Sequence, residues 1–197
     1  MSQYQTIAAP SAGVYKEKGS KFLAFAFPVN SEAEIKEIIG SLKKEYFDAR
    51  HYCYAYRLGP TGSVYRANDD GEPNHSAGDP ILGQLKSSNL TYILLVVVRY
   101  FGGIKLGVSG LIQAYKTAAQ DALATATIIQ KKELSQLTLY FSYEQLNEVM
   151  SLAKEPDLVI LKQEFEQECT LVIQFPKTAE VIIRARLSKI KDVRFAE

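Results

Sequence analysis

The sequence TYILLVVVRYFGGIKLGVSGLIQAY (residues 91–115) holds the pattern that decides the fold. Tyr92 to Val98 is a β-prone and almost wholly apolar run. A strand of this kind is covered on both faces, so we expect it to be central in a sheet. Phe101-Gly102-Gly103 then breaks the regular structure, and an alanine-rich helix follows from about Ser109 to Ala126. The stretch predicts a buried strand that leads through a glycine turn into a long helix.

The residues before this stretch predict a hairpin, a helix and an alternating strand. Ser31, with Glu34 three residues later, is a capping-box pattern for the start of a helix. Asp79-Pro80 indicates a second helix start, with Asp79 as the N-cap. The predicted strands are Val14–Tyr15, Phe22–Pro28 and His51–Arg57.

After Gln130 the pattern changes to four strands and two helices. The strands are Leu134–Phe141, Leu158–Phe165, Cys169–Phe175 and Val193–Phe195, and the helices are Ser142–Ala153 and Thr178–Leu187. This βαββαβ order is a split-βαβ or ferredoxin-like plan. The sequence thus predicts an α+β protein with two domains, residues 1–130 and 131–197, and a boundary at Lys131-Lys132-Glu133.

Composition and charge argue against some classes of function. The chain has 197 residues and a net charge of +1, with 13 basic and 11 acidic residues up to position 130. Neither half has the cationic excess of a strong non-specific nucleic-acid binder, so any RNA contact would be local. Cys53 and Cys169 make no disulfide scaffold, and the first ten residues do not resemble a signal peptide. We therefore expect a cytoplasmic protein with no membrane segment.

Asp69, Asp70 and Glu72 form an acidic loop, in which three carboxylates fall within four positions. Such oxygens can bind a hard cation or receive an arginine or lysine of a partner. Asp, Gly and Pro are also ordinary turn residues, and the spacing matches no calcium loop. The turn is therefore favoured, and we predict neither a metal ion nor another cofactor.

The segment Arg99–Gly110 forms a glycine turn that suits an anion such as a phosphate. The strand delivers a cation to its end, glycines let the backbone approach a ligand, and the next helix presents free amide groups. The glycines would equally serve tight turns and close packing, and the pattern matches no standard nucleotide-binding loop. The candidate anion-binding or RNA-binding residues are Arg99, Gly102, Gly103, Lys105, Gly107, Ser109 and Gly110.

Two further sets of residues have a structural and a functional interpretation. Tyr52, Tyr54 and Tyr56 share one face of a strand, which could stack unpaired bases but is more typical of a half-buried sheet face. His51 and His75 are the only histidines, and we interpret both as hydrogen-bonding structural residues. The sequence offers no convincing hydrolase triad or zinc site.

Three segments together resemble the YigZ/IMPACT family. They are Cys53–Arg57, the loop Asn68–Pro73 with Ala77–Leu82, and Val97–Gly107 with its continuation to Tyr115, which resembles the family signature. The resemblance implies a first domain like the second domain of a small-subunit ribosomal protein, with its left-handed βαβ arrangement and helices on one side of a sheet. It implies a second domain like domain V of elongation factor G, and a link to translation, since eukaryotic members regulate it. It implies no catalytic residues.

Three functional hypotheses follow. The first is a non-enzymatic binding protein in translation or its stress regulation, which docks to a ribosome, an RNA or a translation-factor protein. The second is an enzyme that binds a phosphorylated small molecule or nucleotide at the turn Arg99–Gly110, with magnesium at Asp69, Asp70 and Glu72. The third makes the C-terminal domain a dimerisation module, because sheets of this type can join at their edges.

Overall fold

The computed structural model describes residues 3–196 and shows a mixed α/β protein with two compact units. One unit is Tyr4–Lys131, and the other contains Gln3 with the residues from Lys132 onward. Residues 1, 2 and 197, which the predicted domains include, lie outside the described range. Within residues 3–196, no helix combines the length and the apolar character needed to cross a bilayer.

The first unit is built on a five-stranded antiparallel sheet. Apart from Gln3 and Lys132, the end residues of its first and last strands, its elements lie within this unit. They are β1 (Gln3–Ile7), β2 (Ser11–Glu17), β3 (Ser20–Pro28), α1 (Glu32–Glu45), β4 (His51–Leu58), β5 (Val64–Asn68), α2 (Gly78–Ser87), β6 (Ile93–Tyr100), α3 (Gly107–Ala124) and β7 (Ile128–Lys132). The sheet order is β2-β3-β6-β4-β5, so β6 is central, as the sequence predicts. Strands β1 and β7 pair with each other, and no sequence pattern predicted either of them.

Helices cover both faces of this sheet. Ile93, Leu95 and Val97 of β6 belong to the core under α2 and α3. The alternate residues Leu94, Val96 and Val98 pack with Ile35 and Leu42 of α1 on the opposite face. The expectation of helices on one side only is therefore wrong. The second layer explains why β6 is apolar at every position instead of alternating.

The cap of α1 follows its sequence pattern. Ser31 has an extended backbone, and its side chain accepts a hydrogen bond from the Glu34 amide at 3.3 Å. The Glu34 carboxylate reaches back to the Asn30 amide at 2.8 Å. The first hydrogen bond satisfies an amide that the first turn of a helix leaves free, and the second holds the residue that precedes the N-cap.

The second unit has the predicted βαββαβ order. Its elements are β8 (Leu134–Phe141), α4 (Leu146–Ala153), β9 (Val159–Phe165), β10 (Cys169–Pro176), α5 (Glu180–Leu187) and β11 (Arg194–Phe195). The sheet order is β11-β8-β10-β9, and all pairs are antiparallel. Each helix begins later than predicted because a short 3-10 turn precedes it. The likeness to domain V of elongation factor G stays a prediction, as does dimerisation through the sheet edge.

Candidate functional site

The acidic loop and the glycine turn meet at one cavity of about 440 Å³ in the first unit. The end of β6, the segment before β4, the loop after β5 and the start of α3 all contribute to its wall. The lining residues are Arg50, His51, Glu72, Pro73, Arg99, Phe101, Lys105, Leu106, Gly107, Val108 and Leu111. We refer to it below as the site cavity.

A buried ion pair lies at this cavity. Arg99 Nη1 donates to Glu72 Oε1 at 2.5 Å, and the two side chains are only 6% and 4% exposed. The Tyr115 hydroxyl donates to the same oxygen at 2.8 Å. Buried charges are tolerated when they are paired and hydrogen-bonded, so Glu72 offsets much of the Arg99 charge. Arg99 Nε is also buried and has no hydrogen-bond partner within residues 3–196.

Cys53 extends this polar cluster into the core. Its sulfur lies 3.3 Å from the Tyr115 hydroxyl and 2.9 Å from the Asp69 carbonyl oxygen. Burial raises the pKa of the Cys53 thiol and the pKa of the Tyr115 hydroxyl well above their usual ranges. Both groups stay protonated near neutral pH, so Cys53 is a poor nucleophile.

Arg99 also lies close to two aromatic rings. Its guanidinium carbon lies 5.4 Å from the ring centre of Phe22 and 5.7 Å from that of Phe101. Phe22 is fully buried, whereas Phe101 is 47% exposed. Cation–π contacts of this kind add to the fixation of the guanidinium and leave part of the Phe101 ring open to solvent.

The rim of the cavity is cationic. Arg50 and Lys105 line it and are exposed. The first turn of α3 carries no acidic residue, and no described side chain caps it. Gly107, which begins the helix, has a φ of +73° that favours glycine, and it lines the cavity. A free helix N-terminus beside two cations favours an anion.

His51 lies beside Arg99 because the two residues are paired across strands β4 and β6. Its Nδ1 is 2.9 Å from the Asp70 carbonyl oxygen, and a carbonyl can only accept, so Nδ1 carries a proton. His51 thus has the structural role that the sequence predicts, and it also lines the cavity. Sequence reasoning missed Arg50 and His51 as site residues. The sequence feature that could have indicated them is their position, since Arg50 lies just before a predicted strand and His51 begins it.

Asp69 organises the loop that leads into α2. Its carboxylate accepts hydrogen bonds from the backbone amides of His75, Ala77 and Gly78 at 2.8–3.0 Å. Burial opposes its ionisation, but these three hydrogen bonds prevail and hold the pKa of Asp69 below its usual range. The helix begins at Gly78, so the predicted N-cap at Asp79 is wrong. Asp69, which is six to nine positions earlier in the sequence, therefore accepts the hydrogen bonds of the amides before and at the start of α2.

The three carboxylates of the acidic loop do not converge on a shared point. Asp70 accepts from the Tyr52 amide at 2.7 Å, and Lys43 lies 3.6 Å away. Asp69 and Glu72 are held by the donors described above. In the described part of the chain, no group of three or more His, Cys, Asp or Glu side chains is placed to hold a metal ion. The magnesium arrangement of the enzyme hypothesis is therefore not formed by these residues.

Only part of the predicted glycine turn faces the cavity. Gly102 packs against the β2–β3 turn, where an added Cβ would lie 1.9 Å from the Gly19 carbonyl carbon. Its amide donates to the Ser20 hydroxyl at 3.2 Å. Of the seven candidates, Arg99, Lys105 and Gly107 line the cavity, whereas Gly102, Gly103, Ser109 and Gly110 do not. Close packing, the second interpretation, accounts for Gly102.

The tyrosine face of β4 lies beneath α1. Tyr52 and Tyr56 are 7% and 6% exposed, and Tyr54 packs partly against the same cluster. The Tyr52 hydroxyl donates to the Tyr46 carbonyl, and the Tyr56 hydroxyl donates to Glu32. These rings are therefore core residues, and they do not form a platform for unpaired bases.

Comparison with known proteins identifies the family of this chain. The model of the Impact N-terminal domain matches residues 18–123, which include β3 through most of α3. The chain is 33% identical over 190 residues to the IMPACT family member YigZ of Escherichia coli, covering 95% of this chain and 93% of that protein. This chain therefore belongs to the IMPACT family.

Two further comparisons show how widely this similarity extends. A crystal structure described as that of a hypothetical protein is 32% identical, has a TM-score of 0.76, and aligns over 99% of this chain and 97% of its own. The IMPACT homologue of Dictyostelium discoideum is 36% identical over 132 residues, which are 64% of this chain but only 36% of that protein. The chain thus spans about a third of that eukaryotic relative.

Proposed function

We propose that this protein is a non-enzymatic binding protein in translation or its stress regulation. It docks through the site cavity to an anionic group on a ribonucleoprotein partner. The link to translation comes from the family resemblance, which implies that eukaryotic members regulate translation. The observation that carries the proposed mode of binding is the arrangement at the cavity, where Arg50, Lys105 and the uncapped start of α3 surround one opening.

The chemistry of the site supports binding better than covalent catalysis. Glu72 already accepts hydrogen bonds from Arg99 and Tyr115, and the Cys53 thiol is buried with a raised pKa. These groups are suited to fixing the cavity wall. The cations at the rim are exposed and available to a partner.

The distribution of charge indicates a local contact. The whole chain has a net charge of only +1, so a broad electrostatic attraction to bare RNA is weak. Two exposed cations and one helix N-terminus can still hold one or two phosphates of a structured particle. We therefore expect moderate affinity with a small salt dependence, since few counterions are released.

A charge-reversal variant tests this role. Arg50→Glu with Lys105→Glu reverses the rim, whereas Arg99→Ala would break a buried ion pair and confuse binding with folding. We expect the double variant to lose most of its co-sedimentation with ribosomes at low salt. For the binding that remains, the slope of log affinity against log salt concentration should fall by about one for each phosphate contact removed.

Lys116→Glu provides the matched control, because Lys116 is exposed on α3 and does not line the cavity. It should co-sediment like the unaltered protein. Equal co-sedimentation of the folded double variant and the unaltered protein would count against the proposed function.

A further inference from the structure

The residues that line the site cavity indicate which class of chemical group it recognises. Three cationic side chains, Arg50, Arg99 and Lys105, face one acidic side chain, Glu72, among the described lining residues. Arg99 is 5% exposed, and its Nε lacks a partner within residues 3–196. This buried, incompletely bonded guanidinium stands beside the free N-terminus of α3. Two independent features thus point to an anion in the same cavity.

Glu72 adds a second polar requirement to the ligand. Both hydrogen bonds of its carboxylate within residues 3–196 go to Oε1, from Arg99 and Tyr115. The other oxygen, Oε2, makes no hydrogen bond to a described residue, and it belongs to a side chain that lines the cavity and is 4% exposed. It is therefore the unused acceptor of this carboxylate. Inorganic phosphate has no N–H group to donate to this oxygen, whereas a ligand that carries N–H donors could form a hydrogen bond with it.

Phe101 adds an aromatic surface to the same cavity. Its ring lines the cavity and is 47% exposed, while Arg99 lies on it. Val108 and Leu111 extend the apolar part of the lining. An exposed ring beside a cationic rim is the combination on which the base of a nucleotide stacks while its phosphate meets the cations. The volume of about 440 Å³ lies in the range of small-ligand sites.

We propose that the site cavity binds a single nucleotide, with the phosphate at Lys105, Arg50 and the start of α3, and the base on Phe101. Glu72 Oε2 accepts a hydrogen bond from an amino group of the base. This inference rests on the proposed binding function and names the group that is bound. A free mononucleotide and one nucleotide of a single-stranded RNA share this chemistry.

Calorimetry with the full-length protein tests the proposal through four probes. They are adenosine 5′-monophosphate, adenosine, inorganic phosphate and a six-residue single-stranded oligoadenylate. Adenosine 5′-monophosphate should bind about tenfold or more tightly than adenosine or phosphate alone, because only it engages the rim and the ring together. Equal affinity for the three small probes, or no binding, would overturn the proposal.

Two matched pairs of variants locate the bound group. Lys105→Glu should weaken the binding of the monophosphate and of inorganic phosphate, whereas Lys116→Glu, on α3 and away from the cavity lining, should leave both unchanged. Phe101→Ala should weaken the binding of the monophosphate about tenfold and leave the binding of inorganic phosphate unchanged. Phe47→Ala, at a ring that is 82% exposed and away from the cavity lining, should change neither. If Phe101→Ala reduces folding, Phe101→Leu keeps the apolar volume without the aromatic face.

The fourth probe distinguishes the two sources of the nucleotide. Tighter binding of the oligoadenylate than of the monophosphate indicates an RNA strand, and the reverse order indicates a free nucleotide. If no probe binds while Arg50→Glu with Lys105→Glu still loses the ribosome, the nucleotide inference is wrong and the proposed function stands.

Discussion

Glu72 and Arg99 are 27 positions apart in sequence and bond each other in the folded protein. The acidic loop and the glycine turn each suggested a separate ligand, a cation in one case and an anion in the other. The ion pair shows that these two charges neutralise each other within the folded protein. What remains for an external anion is the exposed pair Arg50 and Lys105 and the start of α3.

The first prediction concerns the cost of breaking this pair. Glu72→Ala leaves a buried guanidinium without its counter-charge, so we expect a loss of about 3–5 kcal/mol in the free energy of unfolding. Tyr115→Phe removes the hydrogen bond to the carboxylate together with the weaker contact to the Cys53 sulfur, and it should cost about 1.5–3 kcal/mol. Urea denaturation followed by circular dichroism measures both. Glu37→Ala, at an exposed position of α1, should change stability by less than about 0.5 kcal/mol. A Glu72→Ala variant as stable as Glu37→Ala would contradict the assigned role of the pair.

Helix α2 shows how an element can obtain its cap from a distant residue. Asp79-Pro80 has the local pattern of a helix start, yet the helix begins at Gly78. The reason is that the Asp69 carboxylate reaches the amides of Ala77 and Gly78 across the loop. Asp79 instead bonds His75 at 2.6 Å on the exposed surface. The same loop carries Glu72 to the cavity, so the cap of α2 also positions the site.

The second prediction separates these two aspartates. Asp69→Ala should cost about 1–2 kcal/mol or more, because three backbone amides lose their acceptor. Asp79→Ala should cost less than about 1 kcal/mol, since its pair is exposed. Chemical denaturation of both variants at neutral pH measures the difference. Similar losses in the two variants would mean that Asp69 does not cap α2.

The pH dependence of stability gives an independent check on Asp69. Its folded-state pKa lies below the usual value, so the unfolded chain binds this proton more readily. Its contribution is therefore present above the ordinary carboxyl range and is lost as the pH falls through the folded-state pKa. Asp69→Ala should lose less stability than the unaltered protein between about pH 5 and pH 2. An unchanged acid profile would argue against the capping hydrogen bonds.

At the scale of the whole molecule, the chain consists of two units with separate cores. Both hydrophobic clusters of the first unit are formed by residues from within 4–131. The core of the second unit is formed by residues from Leu137 onward. The lining of the site cavity belongs wholly to the first unit. The first unit therefore has the burial needed to fold and to form the site by itself.

The third prediction follows from this division. A fragment of residues 1–131 should unfold cooperatively in urea, because it keeps all of its buried partners. Its denaturant m-value should be lower than that of the full chain in proportion to the surface that it exposes. Circular dichroism at increasing urea concentration measures both quantities. A broad, non-cooperative transition would show that the first unit depends on the second for its stability.

The sequence by itself determined the central position of β6, the helix α3 that follows, the βαββαβ order of the second unit and the cap at Ser31. These features depend on local patterns, such as the run of apolar residues from Tyr92 to Val98, which read the same in any context.

Only the tertiary structure decided which residues of those two segments are free for a ligand. The pair Glu72–Arg99, the cap at Asp69 and the contact of Gly102 with Gly19 each join residues far apart in sequence. The burial of Tyr52 and Tyr56 under α1 is likewise a packing result. Because a charge, an amide or a ring satisfies whichever partner the fold brings near, its role depends on neighbours that local spacing does not specify.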